Sequence, residues 1–363
     1  MRCGFTTGSC AAAGAKAALL AHLNNNVNEV EILSPQGDKI TIPIKNSSKT
    51  KNGGIATVTK DAGDDPDITH GIDIIVEVKV LSNTNKIDIK AGQGIGIVTK
   101  PGLSVAVGKP AINPGPKTMI TSAISSVLGD KKGCEVIISI PEGEKLAKRT
   151  LNSVLGVKGG LSIIGTSGVV RPMSEEAFKN SLSPQISVAK ALGYQSIVLV
   201  PGKIGQDIAI KQYGLPENAV IQTSNFIGHM LEFAVHEEIK NVLLFGHLGK
   251  LVKVAAGIFH THNRIADARM ETIAAYMGAL GAPQAAIKEI LNCTTTEAAM
   301  PIIEYYQMSD LYNLLANRVS ERASRYVFND LVIGTVIVTL KGKLLGMDNA
   351  AKSIGGTIGW SIK

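Results

Sequence analysis

The chain has 363 residues, enough for two domains with a core each. Hydrophobic residues make up 45% and aromatic ones only 4%, and the abundance of Val, Ile, Ala and Gly points to an α/β protein rather than a disordered chain. The formal charge of +7 comes from scattered Lys and Arg without runs of four, which excludes an evident nucleic-acid motif and favours an acidic small molecule as partner.

The first predicted element is a helix over about Ser9 to Ala21, in the stretch "GFTTGSCAAAGAKAA". Ser9 is a candidate N-cap, and the free amides after it, with the helix dipole, would make an anion site. Lys16 lies two turns along, on nearly the same face, and could point back to that end. Thr6, Thr7, Ser9 and Lys16 are therefore candidate substrate-binding residues. The other reading is a helix of small side chains packed tightly against a sheet. Cys10 reads as a small buried residue or a thiolate.

Strand patterns follow in "NEVEILSP", "DKITIPI", "IATVTKD", "DIIVEVKVLS" and "KIDIKAG", and the polar stretch 46–54 reads as a loop. Between two of these strands, "DAGDDPDITHG" carries Asp61, Asp64, Asp65, Asp67 and His70. Asp61 and Asp64 are the candidate catalytic pair, able to accept a proton or orient a polar edge; an Asp-rich turn bonded to its own backbone is the alternative. "GQGIGIVTKPGL" lacks the last glycine of a dinucleotide fingerprint. "GKPAINPGPKTMI" is a proline-stiffened loop leading to a helix over about Lys117 to Leu128.

From Cys134 the pattern changes to strand–helix alternation, so the boundary is placed at "GDKKG", with an α+β domain over 1–130 and an α/β domain with a mostly parallel sheet over 131–363. The expected strands are "CEVIISIP", "LSIIG", "SIVLVPG", "NAVIQT", "NVLLFG" and finally "LVIGTVIVTL". Ligands bind beyond the carboxyl ends of parallel strands. That makes Gly165, Thr166, Ser167 and Gly168, after "LSIIG", candidate cofactor-binding residues, with Arg171 nearby to meet a carboxylate. His247 and Lys250, after "NVLLFG", are candidate substrate-binding residues, supported by Lys253 one turn on. His260 and His262 have no third partner, so no protein-bound metal is expected.

The four cysteines form no C-x-x-C pair, so a reducing cytoplasm is the expected location. No leader is expected, because Lys16 interrupts the alanine run, and no stretch is long and apolar enough to span a bilayer.

Several segments together resemble one family. "RCGFTTGSCAAAGAKAA", "DAGDDPDITHG", "GQGIGIVTKPGL", "GKPAINPGPKTMI", "GTSGVVRPMSEEA" and "GHLGKLVKVAAGIFHTHNRIADARME" look like the signatures of the cobalt-precorrin-5B C1-methyltransferases, in the expected order. The resemblance implies S-adenosylmethionine as methyl donor, methylation at C1 of a cobalt corrinoid to give cobalt-precorrin-6A in anaerobic cobalamin biosynthesis, and two domains of which the second is Rossmann-like. It also implies that the cobalt belongs to the substrate. On that basis the basic first domain is expected to hold the carboxylate-fringed ring, the second-domain strand ends the methyl donor, and the cleft between them the reaction. Transient contact with neighbouring pathway enzymes would fit a labile intermediate. Two rival readings are a corrinoid carrier without catalysis and a phosphate-handling enzyme; the latter lacks G-x-x-x-x-G-K-[ST].

Overall fold

The computed structural model describes residues 1–129 and 132–360. It divides into two compact units, Met1–Glu175 and Glu176–Lys363. The expected boundary falls at Asp130 and Lys131, outside the described residues, and the division lies well after it.

The first unit contains β1 (Gly4–Phe5), α1 (Thr7–His22), β2 (Glu29–Leu33), β3 (Lys39–Pro43), β4 (Asn46–Thr50), β5 (Gly53–Thr59), β6 (Asp73–Leu81), β7 (Ile87–Ala91), β8 (Ile97–Val98), α2 (Pro114–Leu128), β9 (Gly133–Ser139), α3 (Gly143–Ala147), α4 (Asn152–Leu155), β10 (Val157–Lys158) and β11 (Val169–Val170). Its main sheet has the order β4-β5-β6-β9-β7. β9, the "CEVIISIP" strand expected to open the second domain, pairs antiparallel with β6 and parallel with β7. Composition could not reveal this, because a buried run of Val and Ile serves either kind of sheet. The stretch 46–54 supplies an edge strand rather than a loop: β4 pairs with β5, and its Asn, Ser, Lys and Thr side chains suit a solvent-facing edge. "LSIIG" forms no named strand; Leu161 and Ile163 make isolated bridges to Ile95 and Ile112.

α1 answers the question its composition raises. It packs on β5 and β6, on α2 and on the β2–β3 hairpin, and every residue from Thr7 to Ala15 is buried. A helix enclosed on all sides must be slim. A Cβ on Gly14 would lie 2.7 Å from Val76 Cγ2, and one on Gly54 would lie 1.9 Å from the Ala18 carbonyl oxygen. The tight-packing reading of the alanine run is the one observed.

The second unit contains α5 (Glu175–Leu182), α6 (Pro184–Ala191), β12 (Ser196–Val200), α7 (Lys203–Lys211), β13 (Val220–Gln222), α8 (Ile227–His236), β14 (Asn241–His247), α9 (Leu248–Ala255), α10 (Arg269–Ala279), α11 (Gln284–Leu291), α12 (Thr296–Tyr305), α13 (Asp310–Tyr326), β15 (Val332–Val338), β16 (Leu344–Met347) and α14 (Asn349–Thr357). The sheet order is β13-β12-β14-β15-β16, parallel except for β16. β12 is buried along its whole length, as a strand covered on both faces must be. "LVIGTVIVTL" does not close the pattern: β16 and α14 follow it, and Ile354 and Trp360 join Val198, Leu243 and Val336 in the core.

Replacing Gly54 with Ala forces a side chain onto main-chain atoms that cannot move aside. It is expected to cost roughly 1–3 kcal/mol in urea unfolding. At Gly356, near the end of α14, a Cβ would meet nothing within 4 Å; its Ala variant should be neutral or more stable by up to ~1 kcal/mol.

Candidate functional site

The amino end of α1 does not present an open anion site. The cap is Thr6, not Ser9: Thr6 Oγ1 accepts the Ser9 amide at 3.1 Å. The amides of Gly8 and Cys10 go to the carbonyls of Ile164 and Thr6 at 3.0 and 3.1 Å. Ser9 Oγ donates to the Gly168 carbonyl. Thr7 Oγ1 donates to the Ile164 carbonyl at 3.2 Å and accepts the Ile164 amide at 2.9 Å. Thr6, Thr7 and Ser9 are 8%, 4% and 0% exposed, so their hydroxyls close the fold instead of facing a ligand. Lys16 does not turn back along the helix; its Nζ donates to the Glu31 carbonyl at 2.7 Å, fastening the hairpin.

The loop that meets α1 is the expected cofactor loop, Gly165 to Gly168. It belongs to the first unit and follows an irregular segment, not a strand of the parallel sheet, so the strand-end argument for it no longer applies. Its glycines serve close approach to α1. Gly165 has φ +143, and a Cβ there would lie 2.3 Å from Thr6 Oγ1; at Gly168, φ +78, it would lie 2.8 Å from Ile40 Cδ1. Thr166 and Ser167 are exposed. Ser167 Oγ donates to the Val169 carbonyl at 2.9 Å, and the Thr166 carbonyl accepts from Gln36 Nε2 at 3.0 Å.

The aspartate loop abuts the same place, since the Phe5 amide donates to the Asp61 carbonyl at 2.7 Å. Arg2 grips Asp61 with both terminal nitrogens, and its own amide donates to Asp64 Oδ2 at 2.6 Å. The hydrogen bond from Arg2 holds the Asp61 carboxyl below the usual range, with further help from the Gly63 amide. A carboxylate so stabilised is a weak proton acceptor. The expected catalytic pair is thus engaged by one arginine. Asp65 accepts the Met173 amide at 2.9 Å. Asp67 accepts from Lys60 Nζ at 2.6 Å and from the Thr69 amide and hydroxyl, and Lys60 is only 1% exposed. Nothing local in the sequence marks Lys60 as buried, because its partner lies beyond the turn.

In the second unit, β13 and β14 lie on opposite sides of β12. The connection after β12 runs to β13 and the one after β14 runs the other way, to β15; in open parallel sheets such a reversal marks the strand ends at which ligands bind. Pro201 and Gly202 follow β12, and a Cβ on Gly202 would meet nothing within 4 Å. His247 ends β14 and caps α9, its Nδ1 accepting the Gly249 amide at 3.2 Å. Burial pushes the His247 pKa down, so the ring is neutral at neutral pH. Lys250 Nζ donates to Asn225 Oδ1 at 2.5 Å, just past β13, and to the Thr261 carbonyl at 3.3 Å. Burial, then the nearby charges of Lys253 and Arg269, hold the Lys250 pKa below the usual lysine range. Among the described residues, no carboxylate lies within ion-pair distance of Lys250. The structure places His247 at the end of β14 and Lys250 in the first turn of α9. It adds Asn225 and Thr261, which no spacing in the sequence could have linked to them.

The family model described as CbiD matches residues 1–172, and the one described as the CbiD C-terminal domain matches residues 260–349. A cobalt-precorrin-5B C(1)-methyltransferase of Moorella thermoacetica is 49% identical over 99% of this chain and 98% of its own length. The chain belongs to the CbiD family. The proteins of the same name from Desulfitobacterium hafniense and Methanocaldococcus jannaschii are each 46% identical, covering 97% and 94% of this chain and 91% and 95% of theirs. A crystal structure of a cobalamin biosynthesis protein (cbiD) from Archaeoglobus fulgidus is 27% identical over 73% of this chain and 83% of its own, with a TM-score of 0.41.

Within this CbiD-family chain, Asp67→Asn would leave the Lys60 ammonium buried without its counter-charge, a loss of about 3–5 kcal/mol in urea unfolding at neutral pH. Burial opposes ionisation of Asp67, but the charge and hydrogen bond of Lys60 and the bonds from Thr69 outweigh it and keep the folded pKa low. That stabilisation is complete above the unfolded-state value of about 4 and is lost as pH falls through the lower folded value. The gap between wild type and variant should narrow in acid; a gap independent of pH would contradict the assignment.

Proposed function

We propose that this chain transfers a methyl group from S-adenosylmethionine to C1 of cobalt-precorrin-5B, giving cobalt-precorrin-6A. The observation that carries the reading is near-full-length identity of 46–49% to methyltransferases of that name. S-adenosylmethionine supplies, when bound, a methyl already activated on a positively charged sulfur. The carbon–sulfur bond breaks, a carbon–carbon bond forms at C1, the sulfur leaves as a neutral thioether, and the macrocycle releases a proton. The chain need not provide a nucleophile. It must bind, align and exclude water.

The strand ends of the second unit suit the methyl donor better than Gly165 to Gly168. Gly202 leaves space for a ligand beside the main chain, and Lys250 offers a cation without a carboxylate partner to the donor's acid group. His247, neutral, can give or take a hydrogen bond there without adding charge. Cationic side chains of the first unit receive the ring's carboxylates; Arg171, exposed, takes the role expected of Thr6, Thr7, Ser9 and Lys16. Asp61 and Asp64 order this surface through Arg2. The cobalt arrives with the substrate.

The test is incubation of the full chain with cobalt-precorrin-5B and donor labelled with ¹³C in its methyl group, read by mass spectrometry. Appearance of the labelled methyl in the corrinoid is expected. Tight corrinoid binding without transfer would favour the carrier reading instead. Lys250→Met should raise the KM for the donor about tenfold or more, the worth of one charge-assisted hydrogen bond, and leave the corrinoid KM nearly unchanged.

A further inference from the structure

We propose that Lys253 is a positioning residue, whose buried ammonium ties the 257–268 loop to α9 and so sets Lys250 and the Thr261 carbonyl at the strand ends. The proposal rests on the methyl donor binding there.

Lys253 is 0% exposed, a state lysines rarely adopt without a charged partner. Its Nζ donates to Asn263 Oδ1 at 2.7 Å, the Ala266 carbonyl at 2.8 Å and the Thr261 carbonyl at 3.3 Å. An ammonium has three donors, and all three are spent on a single loop. The nearest candidate counter-ion, Asp267, is taken by Arg269 in a two-pronged contact at 2.7 and 2.8 Å. The cation's hydrogen bonds therefore all go to neutral oxygens, with the Asp267 charge acting on it without a direct bond.

The same loop leads directly to the candidate donor site. The Thr261 carbonyl that accepts from Lys253 also accepts from Lys250 at 3.3 Å. The Thr261 amide donates to the Asn225 carbonyl at 2.9 Å, and Asn225 Oδ1 takes the other bond of Lys250. His260 bridges to Phe226 at the start of α8. The Thr261 hydroxyl is buried without a partner, so Thr261 itself is held through its main chain. A buried charge adds little stability over a well-packed apolar side chain. What it adds here is one fixed arrangement of three oxygens around a point. Lys250 stands one turn before Lys253 on α9 and shares one of those oxygens, so a loosened loop would release Lys250 as well.

The experiment is calorimetric titration of the full chain with S-adenosylhomocysteine, comparing wild type, Lys253→Met, Asn263→Ala, Lys250→Met and the Lys250→Met/Lys253→Met double variant, with thermal midpoints measured in parallel. Lys253→Met is expected to weaken binding about tenfold, and Asn263→Ala, a milder loss of one acceptor, to weaken it a few-fold. Because Lys253 acts through Lys250, the double variant should bind no more weakly than Lys250→Met alone. Wild-type affinity in both Lys253→Met and Asn263→Ala, with only the midpoints lowered, would overturn the positioning role and leave the donor site intact. Losses that multiply in the double variant would overturn it too. Absence of binding by the wild type would overturn the donor site, and the positioning role with it.

Discussion

The main core of the first unit is arranged around a helix too slim to tolerate a neighbour's retreat. α1 is enclosed by two strands, a second helix and a hairpin, and its alanines and glycines let those elements come within direct van der Waals reach of its backbone. Small side chains lose little entropy on burial and contribute little area apiece. The gain comes instead from the larger residues brought close: Val76, Val58, Met119 and Ile120 all belong to one core with the alanines. The hydroxyls at the helix start follow from the same enclosure. Amides buried there must find acceptors, and Thr6 with the carbonyl of Ile164 provides them.

Among the described residues two lysines are fully buried, Lys60 and Lys253, and they differ in what surrounds them. Lys60 faces a carboxylate, so its charge is neutralised within the fold and the pair stabilises the aspartate loop. Lys253 gives all three of its hydrogen bonds to neutral oxygens. The first arrangement is a pairing that resists unfolding. The second leaves a net positive charge next to Lys250, at the place where an open parallel sheet ordinarily receives a ligand. This difference distinguishes the aspartate loop, where the buried charge is paired, from the loop that follows α9.

The local elements are readable from the chain. The alternating strands from Glu29 to Ala91 and the buried runs at Ser196, Asn241 and Val332 form as their patterns indicate, because one-residue alternation and uniform burial are local properties. Which sheet a buried run joins is not local. "CEVIISIP" and "LSIIG" look alike by composition, yet one is a central strand of the first unit and the other makes only two isolated bridges. The misplacement of the cofactor loop follows directly from that. The residues at the start of the chain have the pattern of an anion site, but a helix start reads the same whether its amides meet a ligand or the protein's own carbonyls. His247 and Lys250 are legible because a strand end and a helix start adjoin in sequence; Asn225 and Thr261 are not, because only the crossover of the sheet brings them there.

Binding of the methyl donor at the strand ends of the parallel sheet, with the start of α1 remaining closed, is tested most directly by a crystal structure of the full chain with S-adenosylhomocysteine. Density for the ligand beside Gly202 and His247, with its acid group at Lys250, is the predicted result. Density lying against Gly165 to Gly168, with the contacts of Thr6, Thr7 and Ser9 opened to admit it, would contradict it.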